Sequence, residues 1–262
     1  MEKIDFDNKV MSVYSQEVPG LYEPELDDLW FLYKLIKDKC VTSILEYGSG
    51  WSTYAMAIAL HENFLDFGLE HIETIRHPNA FKLMTIDASS EYLESAMNRI
   101  SDKVKENVLP VFSSPILTSL DGVICHKFDS IPNFAPDLIY LDGPDHNQVM
   151  GNVEGFEYNE SFTQPMGSDL LMVEPFLWPE TIIVTDGRTA NARFLETRFK
   201  RNWQVLHDPF GDRTIFRLAE TALGLISEEH VNFRMKKSRE TTLKEMPHRN
   251  QLSPMLFAIS FA

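Results

Sequence analysis

Ile44-Leu45-Glu46-Tyr47-Gly48-Ser49-Gly50-Trp51-Ser52-Thr53 reads as a strand, a tight turn and the start of a helix. The apolar run ends in an acid, two glycines stand one residue apart, and small hydroxyl residues open a helical pattern. Glycine lets the backbone turn sharply and approach a ligand with no Cβ in the way. The helix beyond presents unpaired N–H groups and the positive end of its dipole. This describes a nucleotide-binding turn, although Thr53 stands where the dinucleotide fingerprint G-x-G-x-x-G has its third glycine. An ordinary strand-to-helix loop shares the local pattern, so the segments further along decide the reading.

Phe81-Lys82-Leu83-Met84-Thr85-Ile86-Asp87 is a second strand ending in an acid. A carboxylate in that place accepts two hydrogen bonds from a ribose diol, which makes Asp87 the candidate ribose ligand; capping the next helix is its other available role. Its distance from the glycine turn exceeds the roughly 20 residues usual for such a unit. Residues 61–80 account for the excess: polar, charged, and holding His61, His71 and His77 at no metal-ligand spacing, they read as an insertion with one helical segment and solvent-exposed histidines. Ser89 and Ser90 then cap a helix with Leu93, Ala96, Met97, Ile100 and Val104 on one face. A third strand spans 108–112, and a small hairpin turns at Asp121-Gly122.

Pro136-Asp137-Leu138-Ile139-Tyr140-Leu141-Asp142-Gly143-Pro144-Asp145-His146 is a buried strand ended by an acid and a glycine, and residues 181–186 are another, ended by Asp186. Asp142 and Asp186 would end neighbouring strands, across a spacing of about 4.8 Å. Two carboxylates that close bind a cation, share a proton, or pair with a base such as Arg188. The segment between them, 147–167, reads as a loop or lid over that edge, with Phe156, Tyr158 and Phe162 interspersed. Residues 203–207 and 213–218 flank a Pro209-Phe210-Gly211-Asp212 turn and form a closing hairpin.

Together these residues resemble the class I S-adenosylmethionine-dependent methyltransferases, whose first motif places an acid before glycines two and four positions on: here Glu46, Gly48 and Gly50, with Ser52 at the next small position. The resemblance spans 24–219 and implies an α/β fold, a Rossmann-like doubly wound sheet, mostly parallel with a terminal antiparallel hairpin. Nicotinamide-binding folds continue instead with parallel strands. It implies S-adenosyl-L-methionine as cofactor, with Glu46, Gly48, Ser49, Gly50 and Ser52 shaping its turn, Asp87 on the ribose, Ser113 near the adenine and Asp142 facing the methionine part. It also implies methyl transfer to a hydroxyl of a small molecule or sugar, with Asp142, His146 and Asp186 as catalytic candidates. His146 would serve as general base, its reference pKa of about 6.5 suiting neutral pH.

In metal-dependent catechol-type relatives the acids in these two places hold magnesium, and Asn follows the fifth-strand acid. Gly187-Arg188 follows it here, so magnesium stays an open alternative beside Arg188 as partner for Asp186 or for an anionic acceptor. Two other readings fit the same fold: a catalytically silent binding or assembly protein, and an NAD-dependent oxidoreductase.

The 262 residues suffice for one large domain with an appendage. We divide them into an irregular arm (1–22, ending near Pro19-Gly20), the cofactor-binding domain (23–219) and a tail (220–262). The domain opens with an amphipathic helix, Leu26, Leu29, Trp30, Tyr33 and Ile36 after Pro24. The tail holds a basic cluster, Arg234-Met235-Lys236-Lys237-Ser238-Arg239, read as solvated surface. Its apolar end, 256–261, is expected to pack on its own domain or on a second subunit. A net charge of −15 repels phosphate backbones and makes nucleic acid a poor partner. Cys40 and Cys125 lack metal or disulfide spacing and are expected to be buried thiols. With no apolar run of spanning length, the expected location is the cytoplasm; a homo-oligomer remains open.

Overall fold

The computed structural model describes residues 1–16, 22–130, 132–158, 164–222 and 224–245, the side chains of His146 and of 241–245 excepted. The arm's boundary at Pro19-Gly20, Phe162 in the loop, and the apolar end at 256–261 lie outside the described residues.

Helices α1 (Lys3–Tyr14) and α2 (Leu26–Asp38) lead into β1 (Ser43–Tyr47), α3 (Trp51–Thr74), β2 (Lys82–Asp87), α4 (Ser90–Arg99), α5 (Asp102–Lys105) and β3 (Val108–Phe112). The hairpin β4 (Pro115–Leu120) and β5 (Val123–Phe128) precedes β6 (Leu138–Leu141), the short pair β7 (Asn152–Val153) and β8 (Phe156–Glu157), and α6 (Asp169–Val173). The chain continues through β9 (Ile182–Asp186), α7 (Thr189–Glu196), β10 (Trp203–Asp208), β11 (Arg213–Leu218) and α8 (Leu225–Glu245).

Seven strands form one sheet in the order β10-β11-β9-β6-β1-β2-β3. Neighbours from β9 to β3 are parallel, and β11 lies antiparallel between β9 and β10. This is the doubly wound, mostly parallel sheet with a terminal antiparallel hairpin that the sequence leads one to expect. All five residues of β1 are buried, as helices on both faces require. Alternation along the strands divides the core: Ile44, Leu83 and Leu138 pack under α2 and α3, whereas Leu45, Ile86 and Ile139 pack with Leu170, Ala192 and Leu195 from α6 and α7. Ala55, Met56 and Ala59 of α3 are small or flexible enough to lie close on the sheet. Both cysteines are buried thiols outside any disulfide, and no helix among the described residues is long and apolar enough to cross a membrane.

Two segments differ from expectation. Residues 3–14, expected to be irregular, form a helix whose only buried residues are Phe6 and Val10. Two apolar positions make a weak periodic signal, and the helix is held by packing of Phe6 on Trp30 and Tyr33, ring centroids 5.4 and 5.1 Å away. Residues 61–74 continue α3 rather than forming a separate insertion. Exposed Leu65, Leu69 and Ile72 blur the helical period, while Phe64, Phe67 and His71 make the buried stripe against Phe81.

None of the three histidines is a loop residue open to solvent: His61 and His71 lie in α3, His61 half-buried, and His77 is half-buried in the segment that follows. His71 is buried, with Nε2 3.3 Å from Nδ1 of His230, and the half-buried His77 ring lies 4.7 Å from that of His230. Arg234, the first residue of the basic cluster, is likewise buried instead of solvated. It donates to Asp137 Oδ1 at 2.9 Å and His230 Nε2 pairs with the same oxygen at 2.7 Å, while Oδ2 accepts from the N–H and hydroxyl of Thr42. Helix α8 is thus fastened to the amino edge of the sheet, opposite the glycine turn.

Candidate active site

The glycine turn is built from below. Glu46 is fully buried; its carboxylate accepts the Ser52 hydroxyl at 2.6 Å and the Thr53 hydroxyl at 2.7 Å, and Thr53 Oγ1 accepts the Gly50 N–H at 3.0 Å. Desolvation pushes the Glu46 carboxyl up to about 7, against the Ser52, Thr53 and Thr85 hydroxyls that hold it down. Glu46 therefore shapes the first turn of α3 and does not itself face the cleft. Gly48 has φ +93°, which a side chain would oppose, and its N–H donates to the Ile86 carbonyl at 2.8 Å.

Asp87 closes the turn from the neighbouring strand. Its Oδ2 accepts the N–H and hydroxyl of Ser49 at 2.6 and 2.9 Å, and Oδ1 accepts the Ser89 N–H at 2.7 Å. A carboxylate has about four acceptor sites, so one remains on the cleft side. Ser113, the expected adenine contact, is buried and receives the Ser130 N–H at 3.0 Å; it stands behind the cleft wall.

The turn after β6 lies against the first. The N–H groups of Asp142 and Gly143 both donate to the Tyr47 carbonyl, at 2.9 and 2.6 Å, and the Gly143–Pro144 peptide is cis. Asp142 opens into the cleft with 53% of its side chain exposed. Its recess pushes the carboxyl up, to about 7, with Arg188 opposing and Asp186 adding to the rise; water in the cleft moderates that shift. Asp186, at the end of β9, accepts the Tyr140 hydroxyl at 2.6 Å, and its own carboxyl is raised by burial.

Arg188 reaches Asp142 and not Asp186: its Nη2 donates to the carbonyls of Asp142 and, at 3.0 Å, Pro144, and its Nε lies 3.9 Å from Asp142 Oδ1. His146 follows in a short 3-10 turn, its side chain outside the described residues.

These groups share one cleft of about 1300 Å³ at the carboxyl edge of the sheet, over the point between β1 and β6 where strand order reverses. Gly48, Ser49, Gly50, Ser52, Asp87 and Tyr92 line one end; Tyr140, Asp142, Asp186 and Arg188 line the other. Ten acidic residues and three arginines line it, which makes the cavity strongly negative. Sequence reasoning missed Tyr140, although it lies two residues before Asp142 and so on the same face of the strand. It also missed Asp28 of α2 and Arg213 of β11, which pair at 3.3 Å from opposite ends of the domain and which no local pattern connects.

As a metal centre this end of the cleft is poor. Among the described residues the group of three His, Cys, Asp or Glu side chains close enough for one ion is His77, Asp137 and His230, with ligand atoms within 4.8 Å of one another. That group sits at the far edge of the sheet, and its carboxylate is already occupied by Arg234, His230 and Thr42.

No family model matches the sequence, and no curated protein matches it. Among solved structures, the chain is similar to the O-methyltransferase from Bacillus cereus in complex with SAH, at 14% identity over 84% of this chain and 92% of that one, TM-score 0.46. It is similar to the SAH-bound Podospora anserina methyltransferase PaMTH1, at 14% identity over 82% and 87%, TM-score 0.47. A third is the O-methyltransferase TomG from Streptomyces achromogenes, involved in tomaymycin synthesis and in complex with SAM, at 14% identity over 84% and 91%, TM-score 0.41.

Proposed function

We propose that this protein is a methyltransferase that uses S-adenosylmethionine to methylate a hydroxyl of a small molecule or sugar. The observation that carries this reading is one cleft with a glycine turn and the Asp87 carboxylate at one end, and an acid pair, Asp142 and Asp186, at the other. S-Adenosylmethionine, when bound, supplies an electrophilic methyl on a positively charged sulfur, and the negative lining suits that charge. The free acceptor site on Asp87 would take a ribose hydroxyl, and Gly48 and Gly50 leave the backbone open beside it.

At the other end the chain's task is alignment and proton removal. Asp142, its carboxyl lifted towards neutrality and its turn held by Arg188, is matched to accept the acceptor hydroxyl's proton. Asp186, fixed by the Tyr140 hydroxyl, orients the acceptor beside it. His146 is the competing base.

The test begins with calorimetric titration of S-adenosylhomocysteine, then methyl transfer from labelled S-adenosylmethionine to a panel of catechols and monosaccharides. Binding with turnover on a hydroxyl acceptor supports the reading. With an acceptor in hand, Asp142→Asn should abolish turnover and keep cofactor affinity; full turnover in that variant would transfer the role to His146. Absence of binding to folded protein would overturn the assignment and favour an assembly role.

A further inference from the structure

Two carboxylates ending adjacent strands call for a positive charge, and this chain supplies one of its own. Arg188 stands between β9 and α7, at the N-cap of that helix, with 15% of its side chain exposed. Its guanidinium is pinned by the Asp142 and Pro144 carbonyls, which fixes the turn after β6, and its Nε is buried without a hydrogen-bond partner, facing Asp142 Oδ1. A divalent ion on Asp142 would meet this charge at close range, since Arg188 Nε lies 3.9 Å from Asp142 Oδ1. The second carboxylate is also engaged, because Asp186 holds the Tyr140 hydroxyl.

We propose that Arg188 is the resident cation of the Asp142 turn: it takes the place of the divalent metal of catechol-type enzymes and acts as a positioning residue that sets that turn. The site then works without magnesium. What the cation serves rests on the methyltransferase reading; its occupancy of the place is tested separately. Arg188 belongs to a Gly187-Arg188 pair where the metal-dependent pattern has Asn, and Gly187, at φ +58°, turns the backbone so that the arginine leaves β9 towards the β6 turn.

The experiment uses Mn²⁺ alone as probe, followed by the loss of its free electron paramagnetic resonance signal, on the full chain, Arg188→Ser, Arg188→Lys, Asp142→Asn and the Arg188→Ser/Asp142→Asn pair. The expected result is no Asp142-dependent Mn²⁺ site in the wild type or in Arg188→Lys. In Arg188→Ser a site should appear with at least about tenfold tighter binding, roughly 1.4 kcal/mol, and be lost in the double variant. Wild-type binding that disappears in Asp142→Asn would overturn the proposal, and needs no arginine variant to fold. So would a folded Arg188→Ser that gains no Mn²⁺ affinity. Titration of S-adenosylhomocysteine with and without Mg²⁺ runs alongside: equal affinities are expected, and a Mg²⁺-dependent gain in the wild type would count against Arg188. Failure of S-adenosylhomocysteine to bind at all would instead sink the methyltransferase reading, with the Mn²⁺ result still deciding the role of Arg188.

Discussion

Gly48 and Gly143 meet backbone to backbone: a Cβ on Gly48 would lie 2.6 Å from the Gly143 nitrogen, and one on Gly143 would lie 2.5 Å from the Gly48 Cα. The turns after β1 and β6 are thereby locked together at the floor of the cleft. No rotamer relieves such a clash, since both partners are main chain. Gly143→Ala should cost about 1–3 kcal/mol of stability, the range for overpacking, and weaken S-adenosylhomocysteine binding as the turns separate. Urea unfolding with calorimetry checks both, and an alanine variant of wild-type stability would show that the turns have room to part.

Asp87 tests the ribose assignment directly. Asp87→Ala removes the proposed ribose acceptor and leaves the Ser49 and Ser89 N–H groups without theirs. Losing a charge-assisted hydrogen bond of roughly 1.5–3 kcal/mol corresponds to about a ten- to hundredfold loss of S-adenosylhomocysteine affinity. Ser49→Ala, which keeps the carboxylate, should stay within a few-fold of wild type. Unchanged affinity in Asp87→Ala would remove the ribose assignment.

The Asp137 network predicts a large effect far from the cleft. Arg234 and Asp137 are both buried, with side chains 6% and 3% exposed, so deleting one leaves the other charge uncompensated. Arg234→Met should destabilise the protein by about 3–5 kcal/mol, and adding Asp137→Asn should recover part of that loss. Strict additivity in chemical denaturation would mean that the two do not act as a pair.

The same cluster has a pH signature. Burial first, with neighbouring charges, lowers the His71 and His77 pKa values from 6.5 to about 4. The folded chain then binds fewer protons than the unfolded chain between those values. Their contribution to stability is complete above pH 6.5 and is lost as the pH falls through about 4. Glu46 and Asp169, raised to about 7 mainly by burial, act in the opposite sense, so the comparison must be a difference. Relative to wild type, a His71→Gln/His77→Gln variant should gain stability steadily from pH 6.5 to 4.5. A constant difference across that window would mean that neither histidine titrates as the fold implies.

The strands and the glycine turn were legible because their signals are local. Ser43 to Tyr47 with its glycines, the acid at Asp87 and the closing hairpin each carry their meaning within a dozen residues. The end of the cleft at Asp142 and Asp186 depends on contacts between segments far apart in the chain. Arg188 can be seen in the sequence as a base near two acids, yet its choice of Asp142 over Asp186 follows from the Asp142 and Pro144 carbonyls that hold its guanidinium and from the Tyr140 hydroxyl already on Asp186. His71 was misread for a similar reason: its burial depends on Phe233 and His230 of α8, some 160 residues later, with ring centroids 5.2 and 5.4 Å away. Helix α1 has too little apolar surface to announce itself and exists because α2 offers Trp30 and Tyr33.

The fastening of α8 also bears on the order of synthesis. Asp137 leads into β6 at the centre of the sheet, but the arginine that neutralises it comes from the last described helix, after every described strand in the sequence. A nascent chain halted before Leu225 would lack both His230 and Arg234, the groups of α8 that pair with the Asp137 carboxylate. Closure of the amino edge of the sheet is therefore a late step in folding, because it waits for Arg234.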